Sequence, residues 1–359
     1  MARLTRESVK NSILYGGIDK DSFNIIKSEI VKDNRHIVFV FSALVGAMLE
    51  ALFVVSHFVE SLSNYSALYG ACFFLCGVVF LIALKPGKNN PNLMTADMYL
   101  FCGVLFSIGI ALGTVLSPLE VSAAFIALLL AVPQVFSDKP WRMYLMIVAA
   151  AVLFIVLARI YKSPDTAASD ITNTLAFGIV SIVLYTYSVR SRIARYWLEY
   201  RTTYLAENDQ LTGLKNRHSF QYALDTALNL NCRKIYCVYI DANGLHELND
   251  TQGHEAGDRM LKSISDLMRS IFGKDVCYRV GGDEFIVLGT DREHAELEDL
   301  VKQFKAANSA NGYCASAGIC VAPNGEIDVE EIVKEAEKEM YADKAEFYRS
   351  SGHDRRRRR

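Results

Sequence analysis

Three acidic residues in the C-terminal half have the types and spacing of a metal site that handles phosphate. Asp283 and Glu284 follow a pair of glycines between two short apolar segments, and Asp241 follows the apolar segment 234–240. Backbone without side chains lets a phosphate group approach closely, and carboxylates can hold Mg²⁺ beside it. If segment 234–240 pairs as a strand with the glycine-containing region, Asp241 comes next to the other two acids. Oxygen ligands without Cys or His favour Mg²⁺ that carries a nucleotide triphosphate.

The elements that must position these carboxylates alternate between helical and extended patterns. A glycine pair between short apolar segments predicts a tight β-hairpin. We predict strands at 234–240, 276–280, 285–288 and 313–321. We predict helices at 211–230, 250–271, 293–308 and 328–347. This mixed order with an adjacent hairpin indicates an α+β domain with a central, mainly antiparallel sheet, not a doubly wound parallel sheet.

Four motifs, in order along the chain, resemble those of the GGDEF family, the diguanylate cyclases. The family pattern DxLTGLxNR is matched by residues 209–217. The pattern DxNxLKxxND…GHxxGD is matched by residues 241–250 together with Gly253-His254 and Gly257-Asp258. The signature itself is intact at 281–285, and the family's last helix is similar to residues 338–344. The resemblance covers residues 208–352 and implies a GGDEF, or nucleotidyl-cyclase-like, fold.

The resemblance implies that the protein condenses two GTP molecules into cyclic di-GMP and two pyrophosphates. Each domain would hold one GTP, so two copies would face each other as a homodimer. The family's catalytic and metal-binding positions are occupied by Asp241, Asp283 and Glu284, which would hold Mg²⁺, two ions per site, or Mn²⁺. Its substrate-binding positions are matched by Gly281, Gly282, His246 and Lys344 for phosphate, and by Asn249 and Asp258 for guanine. Attack of a 3′-hydroxyl on an α-phosphorus is an in-line displacement, catalysed mainly by positioning and metal charge.

Three positions depart from the family pattern. His246 stands where the family often has a phosphate-contacting Lys, and neutral imidazole lacks the permanent charge. A second interpretation of His246 is an exposed helix residue without a role. Tyr348 replaces the basic residue expected four positions after Lys344. The family's product-inhibition motif RxxD has Asp275 at its acidic position but Phe272 in place of the arginine, so we expect that inhibitory site to be absent.

Two other functions remain open from the sequence. A catalytically weak domain could act as a GTP or cyclic di-GMP receptor; the intact signature and Asp241 favour an enzyme, and His246 favours the receptor. A transporter regulated by a nucleotide domain is the other alternative. It is disfavoured because no pair of Gly/Pro-interrupted helices occupies matching positions in two halves.

The N-terminal half is apolar enough to lie in a membrane. The 359-residue chain is 51% hydrophobic and 22% charged, and its charged residues concentrate after about residue 190. A transmembrane helix needs about 20 mostly apolar residues. We predict a bundle of six spans at 37–59, 63–84, 95–117, 119–136, 141–160 and 171–190. The net charge of −2 argues against nucleic acid as a partner.

Basic residues predict the orientation of these spans, because cytoplasmic loops are enriched in Lys and Arg. The polar leader is rich in bases, whereas Glu60 and Glu120 mark the first and third loops. Basic residues follow spans two, four and six: Lys85, Lys88, Lys139, Arg142, Arg190, Arg192, Arg195 and Arg201. Both termini are therefore predicted to be cytoplasmic, in a bacterial inner membrane. The predicted organisation is a leader (1–36), a transmembrane input domain (37–190), a signalling helix (191–207), the cyclase domain (208–352) and a basic tail (353–359).

Two features of the membrane half concern signalling. Glu50 and His57 lie inside the first span, where a charge is costly and is a functional candidate by default. Glu50 could be protonated and bonded to a neighbouring helix, sense an unknown small-molecule or envelope signal, or serve transport. A 4-3-4-3 spacing suggests either a short parallel coiled coil or a plain amphipathic linker; it comprises Val189, Ile193, Tyr196, Tyr200 and Thr203. The eight cysteines show no metal spacing. We predict that they are reduced and that most of them are buried as small hydrophobic side chains.

Overall fold

The computed structural model describes residues 6–84, 90–227, 232–323 and 328–350. The chain divides into two compact units, residues 1–200 and 201–359, called here the helical unit and the α+β unit. Several predicted features lie outside the described residues: Arg3, Lys85, Lys88 and the tail arginines 355–359.

Among the described residues, seven α-helices begin in the helical unit. They are α1 (Arg6–Tyr15), α2 (Lys20–Val55), α3 (Ser66–Leu84), α4 (Pro91–Gly113), α5 (Ala123–Val135), α6 (Pro140–Tyr161) and α7 (Pro164–Glu207). The side chain of Asp19 caps α2 by accepting hydrogen bonds from the amides of Asp21 and Ser22. Proline opens α4 and α6, at the position where a helix needs no backbone donor.

Five helical segments of the described chain are long and apolar enough to cross a membrane: Glu7–Val55, Leu62–Leu84, Pro91–Gly113, Pro140–Tyr161 and Pro164–Glu207. The predicted span 119–136 is shorter than expected, because its helix α5 has only 13 residues. At 1.5 Å per residue this helix is about 20 Å long, less than the roughly 30 Å of a bilayer's hydrocarbon core. The six predicted spans therefore correspond to five helices of spanning length and one shorter apolar helix.

Two expectations about the helical unit need correction. Glu50 is exposed and lies near the end of α2, which stops at Val55. Its carboxyl group is therefore not buried in a hydrogen bond to a neighbouring helix. Of the two interpretations of the spacing that begins at Val189, the coiled coil does not hold for its first two members. Val189 and Ile193 are fully buried in the core of the helical unit, where Ile193 lies against Gly16, and neither side chain can face a second copy.

The α+β unit contains one four-stranded sheet, which confirms the predicted antiparallel architecture. Its strands are β1 (Lys234–Asn243), β2 (Cys277–Arg279), β3 (Glu284–Thr290) and β4 (Cys314–Pro323), in the order β2-β3-β1-β4, and all three pairings are antiparallel. The helices are α8 (Arg217–Ala227), α9 (Leu245–Gln252), α10 (His254–Phe272), α11 (His294–Ala310) and α12 (Val329–Ser350). Central strand β1 is buried on both faces, against α10 and α11 on one side and against α8 and α12 on the other.

Two helices begin elsewhere than predicted. The helix expected from residue 211 starts at Arg217, because Asp209 and Gly213 (φ +68°) form a turn and Asn216 then caps α8 through the amide of Ser219. The helix expected at 250–271 is two helices, α9 and α10, separated at Gly253 (φ +82°). The break lets the two helices pack side by side beyond the end of β1.

Candidate active site

The pairing of β1 with β3 brings the predicted acidic residues to one edge of the sheet. Asp241 lies directly opposite Glu284 in the antiparallel register. The amide of Ala242 donates a 2.9 Å hydrogen bond to the carbonyl of Asp283, so the pairing continues into the hairpin turn. The juxtaposition expected from the strand and hairpin patterns is therefore present in the backbone.

The two glycines of the hairpin have different surroundings. A Cβ at Gly281 would lie 2.4 Å from Oε2 of Glu284, so a side chain there would displace that carboxyl group. Gly282 is exposed, and a Cβ on it would meet nothing within 4 Å. The turn closes through a 3.0 Å bond from the amide of Val280 to the carbonyl of Glu284. Backbone at this tip is thus open to a ligand.

The electrostatics of the site are those of crowded carboxyl groups. Burial, together with the negative charges of Asp283, Asp241 and Glu337, raises the pKa of Glu284 above its ordinary value, and a hydrogen bond from Tyr239 opposes this. A bound cation would remove the repulsion. Hard oxygen donors of this kind fit Mg²⁺ or Mn²⁺.

Lys344 acts as the counter-ion of Asp241. Its ammonium group donates to Oδ1 of Asp241 at 2.6 Å, and Asp241 is only 4% exposed. The close approach of α12 to β4 makes this contact possible, because a Cβ at Gly318 would lie 2.2 Å from the backbone of α12. The side chains of the three acids do not converge on one point. The described residues contain no group of three or more His, Cys, Asp or Glu side chains placed to hold a metal ion.

The predicted guanine-binding residues lie where α9 meets α10. Oδ1 of Asn249 is buried and has no hydrogen-bond partner among the described residues. It occupies the space left by Gly257, where a Cβ would come within 2.0 Å of it. Asp258 is exposed near the start of α10, one turn after His254. An amide with an unused acceptor beside an exposed carboxylate can recognise the donor edge of a purine.

His246 is exposed on α9, and its Nδ1 lies 3.4 Å from the carboxylate of Asp250. This neighbour is on the same helix, and none of the described contacts ties His246 to the hairpin.

Arg279, at the end of β2, is a site residue that was not predicted from the sequence. Its guanidinium donates to Oδ1 of Asp209 at 2.9 Å and to the carbonyl of Gly282 at 2.7 Å. Burial alone would raise the pKa of Asp209, but hydrogen bonds from Thr212 and Arg279 outweigh it and hold that pKa below its usual value. Arg279 therefore ties the turn at 209–213 to the hairpin. The available signal was an arginine two residues before a glycine pair.

Comparison with known proteins gives a family match that lies within this unit. Residues 206–348 match the family described as "Diguanylate cyclase, GGDEF domain". Diguanylate cyclase DgcS of Shewanella oneidensis is 33% identical over 145 residues, which are 38% of this chain and 49% of that protein. Cyclic di-GMP phosphodiesterase PdeR of Escherichia coli K12 is 32% identical over 154 residues, covering 40% of this chain and 23% of that protein.

A solved structure that contains a GGDEF domain is also similar to part of this chain. The crystal structure of the coiled coil and GGDEF domain of DgcB from Caulobacter crescentus, in complex with c-di-GMP, is 20% identical with a TM-score of 0.41. That match covers 46% of this chain and 94% of the solved chain. This chain spans about half the length of DgcS and less than a quarter of PdeR.

Proposed function

We propose, from the GGDEF domain that residues 206–348 form, that this chain is a membrane-bound diguanylate cyclase that condenses two GTP into cyclic di-GMP and two pyrophosphates. The observation that carries the proposal is the hairpin itself. Asp241 and Glu284 face each other across two strands, beside a glycine tip whose backbone is open to phosphate.

The proposed roles follow from the positions of the side chains. Asp241 and Glu284 would hold Mg²⁺ between the strands, and Asp283 would complete the metal site and help accept the proton of the attacking 3′-hydroxyl. Mg²⁺, when bound, would neutralise triphosphate charge and stabilise the leaving pyrophosphate.

Substrate would be held by groups on either side of these acids. Gly281 and Gly282 would leave room for phosphate, and Lys344 and His246 would donate to it. Asn249 and Asp258 would bind the guanine edge, which would use the unpartnered amide oxygen of Asn249. One chain supplies one such half-site, so a homodimer would be the active form.

We further propose that the helical unit lies in a bacterial inner membrane and regulates the cyclase. The five helices of spanning length support membrane insertion. The distribution of Lys and Arg supports six crossings with both termini in the cytoplasm, α5 being the shortest. The activating signal would act on this unit.

The test uses the full-length protein in lipid nanodiscs, supplied with GTP and Mg²⁺, with cyclic di-GMP measured by mass spectrometry. Asp283→Asn and Asp241→Asn should each lower the rate about a hundredfold or more, because the charge stabilisation of a bound metal is worth several kcal/mol. Asp299→Asn is the matched control, since that acid is exposed on α11. A rate within about twofold of wild type in either site variant would contradict the assigned roles.

The same measurement separates the enzyme from the receptor. A wild-type protein that binds GTP or cyclic di-GMP but forms no product would support the receptor, for which the exposed His246 in place of Lys is the relevant observation.

A further inference from the structure

An open pocket of about 320 Å³ lies between α2 and α3 in the helical unit. It is lined by Lys32, Arg35, His36 and Phe39 of α2 and by Ala83 and Leu84 of α3. Three residues able to donate hydrogen bonds to an anion thus face one cavity, with apolar side chains at its other end.

The guanidinium of Arg35 is fixed at this pocket. Its Nε donates a 2.8 Å hydrogen bond to the carbonyl of Ala83, one residue before the end of α3. Lys32 is exposed, and its ammonium lies 2.7 Å from the carboxylate of Glu29, one turn earlier on α2. The side chain of Glu29 is itself 59% exposed, so water screens its pair with Lys32.

The opposite side of the same turn of α2 is held rigidly. The amide of Asn34 is buried and makes reciprocal hydrogen bonds with the backbone of Ser137, at 2.5 and 3.1 Å. The carboxylate of Asp33 accepts a bond from the hydroxyl of Tyr196 on α7. The basic residues therefore project from a turn whose position is fixed by α7 and by the loop before α6.

The depth of the pocket matches a membrane interface on both helices. The apolar run of α2 begins at Ile37, directly after the basic residues, and α3 ends at Leu84. Phe39 stacks on Phe80 with ring centroids 5.0 Å apart, and Leu81 and Leu84 are at least half exposed beside them. Bases above an exposed apolar surface are complementary to a phosphodiester above acyl chains.

We propose that this pocket binds the headgroup of an anionic phospholipid, such as phosphatidylglycerol. Lys32, Arg35 and His36 contact the phosphodiester, and Phe39 and Leu84 contact the glycerol and upper acyl chain. The inference rests on the proposal that α2 and α3 cross the membrane; it adds a defined lipid site that the cyclase chemistry does not require.

The experiment is native mass spectrometry of the full-length protein in detergent, with equimolar phosphatidylglycerol and phosphatidylcholine of identical acyl chains. Wild type should retain phosphatidylglycerol in preference. Lys32→Gln/His36→Gln should reduce that preference about tenfold, since basic groups at an interface each favour anionic lipid. This variant leaves the bond from Arg35 to Ala83 intact, and Lys32→Gln/Arg35→Gln tests the guanidinium as well.

Lys10→Gln is the matched control, because it removes an exposed base of α1 outside the pocket and should keep the preference. An unchanged preference in both double variants would overturn the proposal. So would complete displacement of phosphatidylglycerol by excess inorganic phosphate, which would assign the pocket to a soluble anion. Failure of wild type to sediment with membranes after carbonate washing would instead refute the membrane proposal.

Discussion

At the scale of single residues, the raised pKa of Glu284 has a consequence for stability. Burial and the charges of Asp283 and Asp241 raise it from the ordinary 4.5, so the folded protein binds a proton more readily than the unfolded chain. Stability must then fall as pH rises through the folded pKa, because the ionised form is disfavoured in the native state.

We therefore predict that Glu284→Gln stabilises the ligand-free protein above that pKa. The midpoint of thermal unfolding, measured by calorimetry of the full chain with chelator at pH 7.5, should rise by on the order of a few degrees. The gain should shrink as pH falls and vanish below 4.5, where Glu284 of wild type becomes protonated in the folded and the unfolded protein alike. Glu298→Gln, an exposed change on α11, should show no such trend. A gain equal at pH 7.5 and pH 5 would refute the electrostatic explanation.

Gly257 is predicted to position the guanine-binding amide. In Gly257→Ala the new Cβ would lie 2.0 Å from Oδ1 of Asn249 and push that side chain away. We expect the KM for GTP to rise about tenfold with a smaller change in kcat, because a lost hydrogen bond in a buried site is worth about 1–3 kcal/mol. The change should have little further effect in an Asn249→Ala background, since both act through one group. Additive effects would show that Gly257 acts elsewhere.

At the scale of elements, the hairpin depends on the tether made by Arg279. We predict that Arg279→Gln lowers kcat about tenfold to a hundredfold, because a small displacement of the reacting groups is costly. Asp209→Asn should act in the same direction, and the double variant should be no worse than the poorer single variant. The exposed Arg233 supplies the control Arg233→Gln. A full effect of Arg279→Gln with none from Asp209→Asn would place the function of Arg279 at Gly282 alone.

Features that are set by a few neighbouring residues could be predicted from the sequence, whereas contacts between distant positions could not. Asp241 opposite Glu284 followed from a strand pattern and a glycine pair, each visible within a few residues. The pairing of Arg279 with Asp209 crosses 70 positions and had no periodic signal. The break between α9 and α10 was not predicted, because a single glycine with positive φ separates two helices of similar composition.

Burial was the other quantity that sequence could not supply. The spacing that begins at Val189 fits a coiled coil, yet its first two members fill the core of their own unit. The sequence also contained no sign of the buried ion pair between Lys162 and Asp170, because neither residue lies in a recognisable motif. The burial of Asp97, which is 5% exposed inside α4, was not predicted either, because the residues around it are mostly apolar and the segment was assigned as a whole.

At the scale of the whole molecule, α7 is one uninterrupted helix from Pro164 to Glu207. We predict that this continuity couples input to output. Inserting two residues after Arg201 should rotate the following segment by about 200° and change basal cyclic di-GMP production sharply. Inserting seven should largely restore it, because a whole heptad returns nearly the same face. The measurement is cyclic di-GMP formation by both insertion variants in nanodiscs. If neither insertion changes it, α7 is only a tether.

The contact between Lys344 and Asp241 implies an order of arrival at the site. The ammonium occupies Oδ1 of Asp241, so a divalent ion that used this oxygen as a ligand would first have to displace Lys344. An ion that comes alone offers Lys344 no new counter-charge, whereas an ion chelated by a triphosphate brings anionic oxygens to which the lysine can transfer. The resting protein should therefore ignore free Mg²⁺ and take up the metal and its nucleotide as a single chelate.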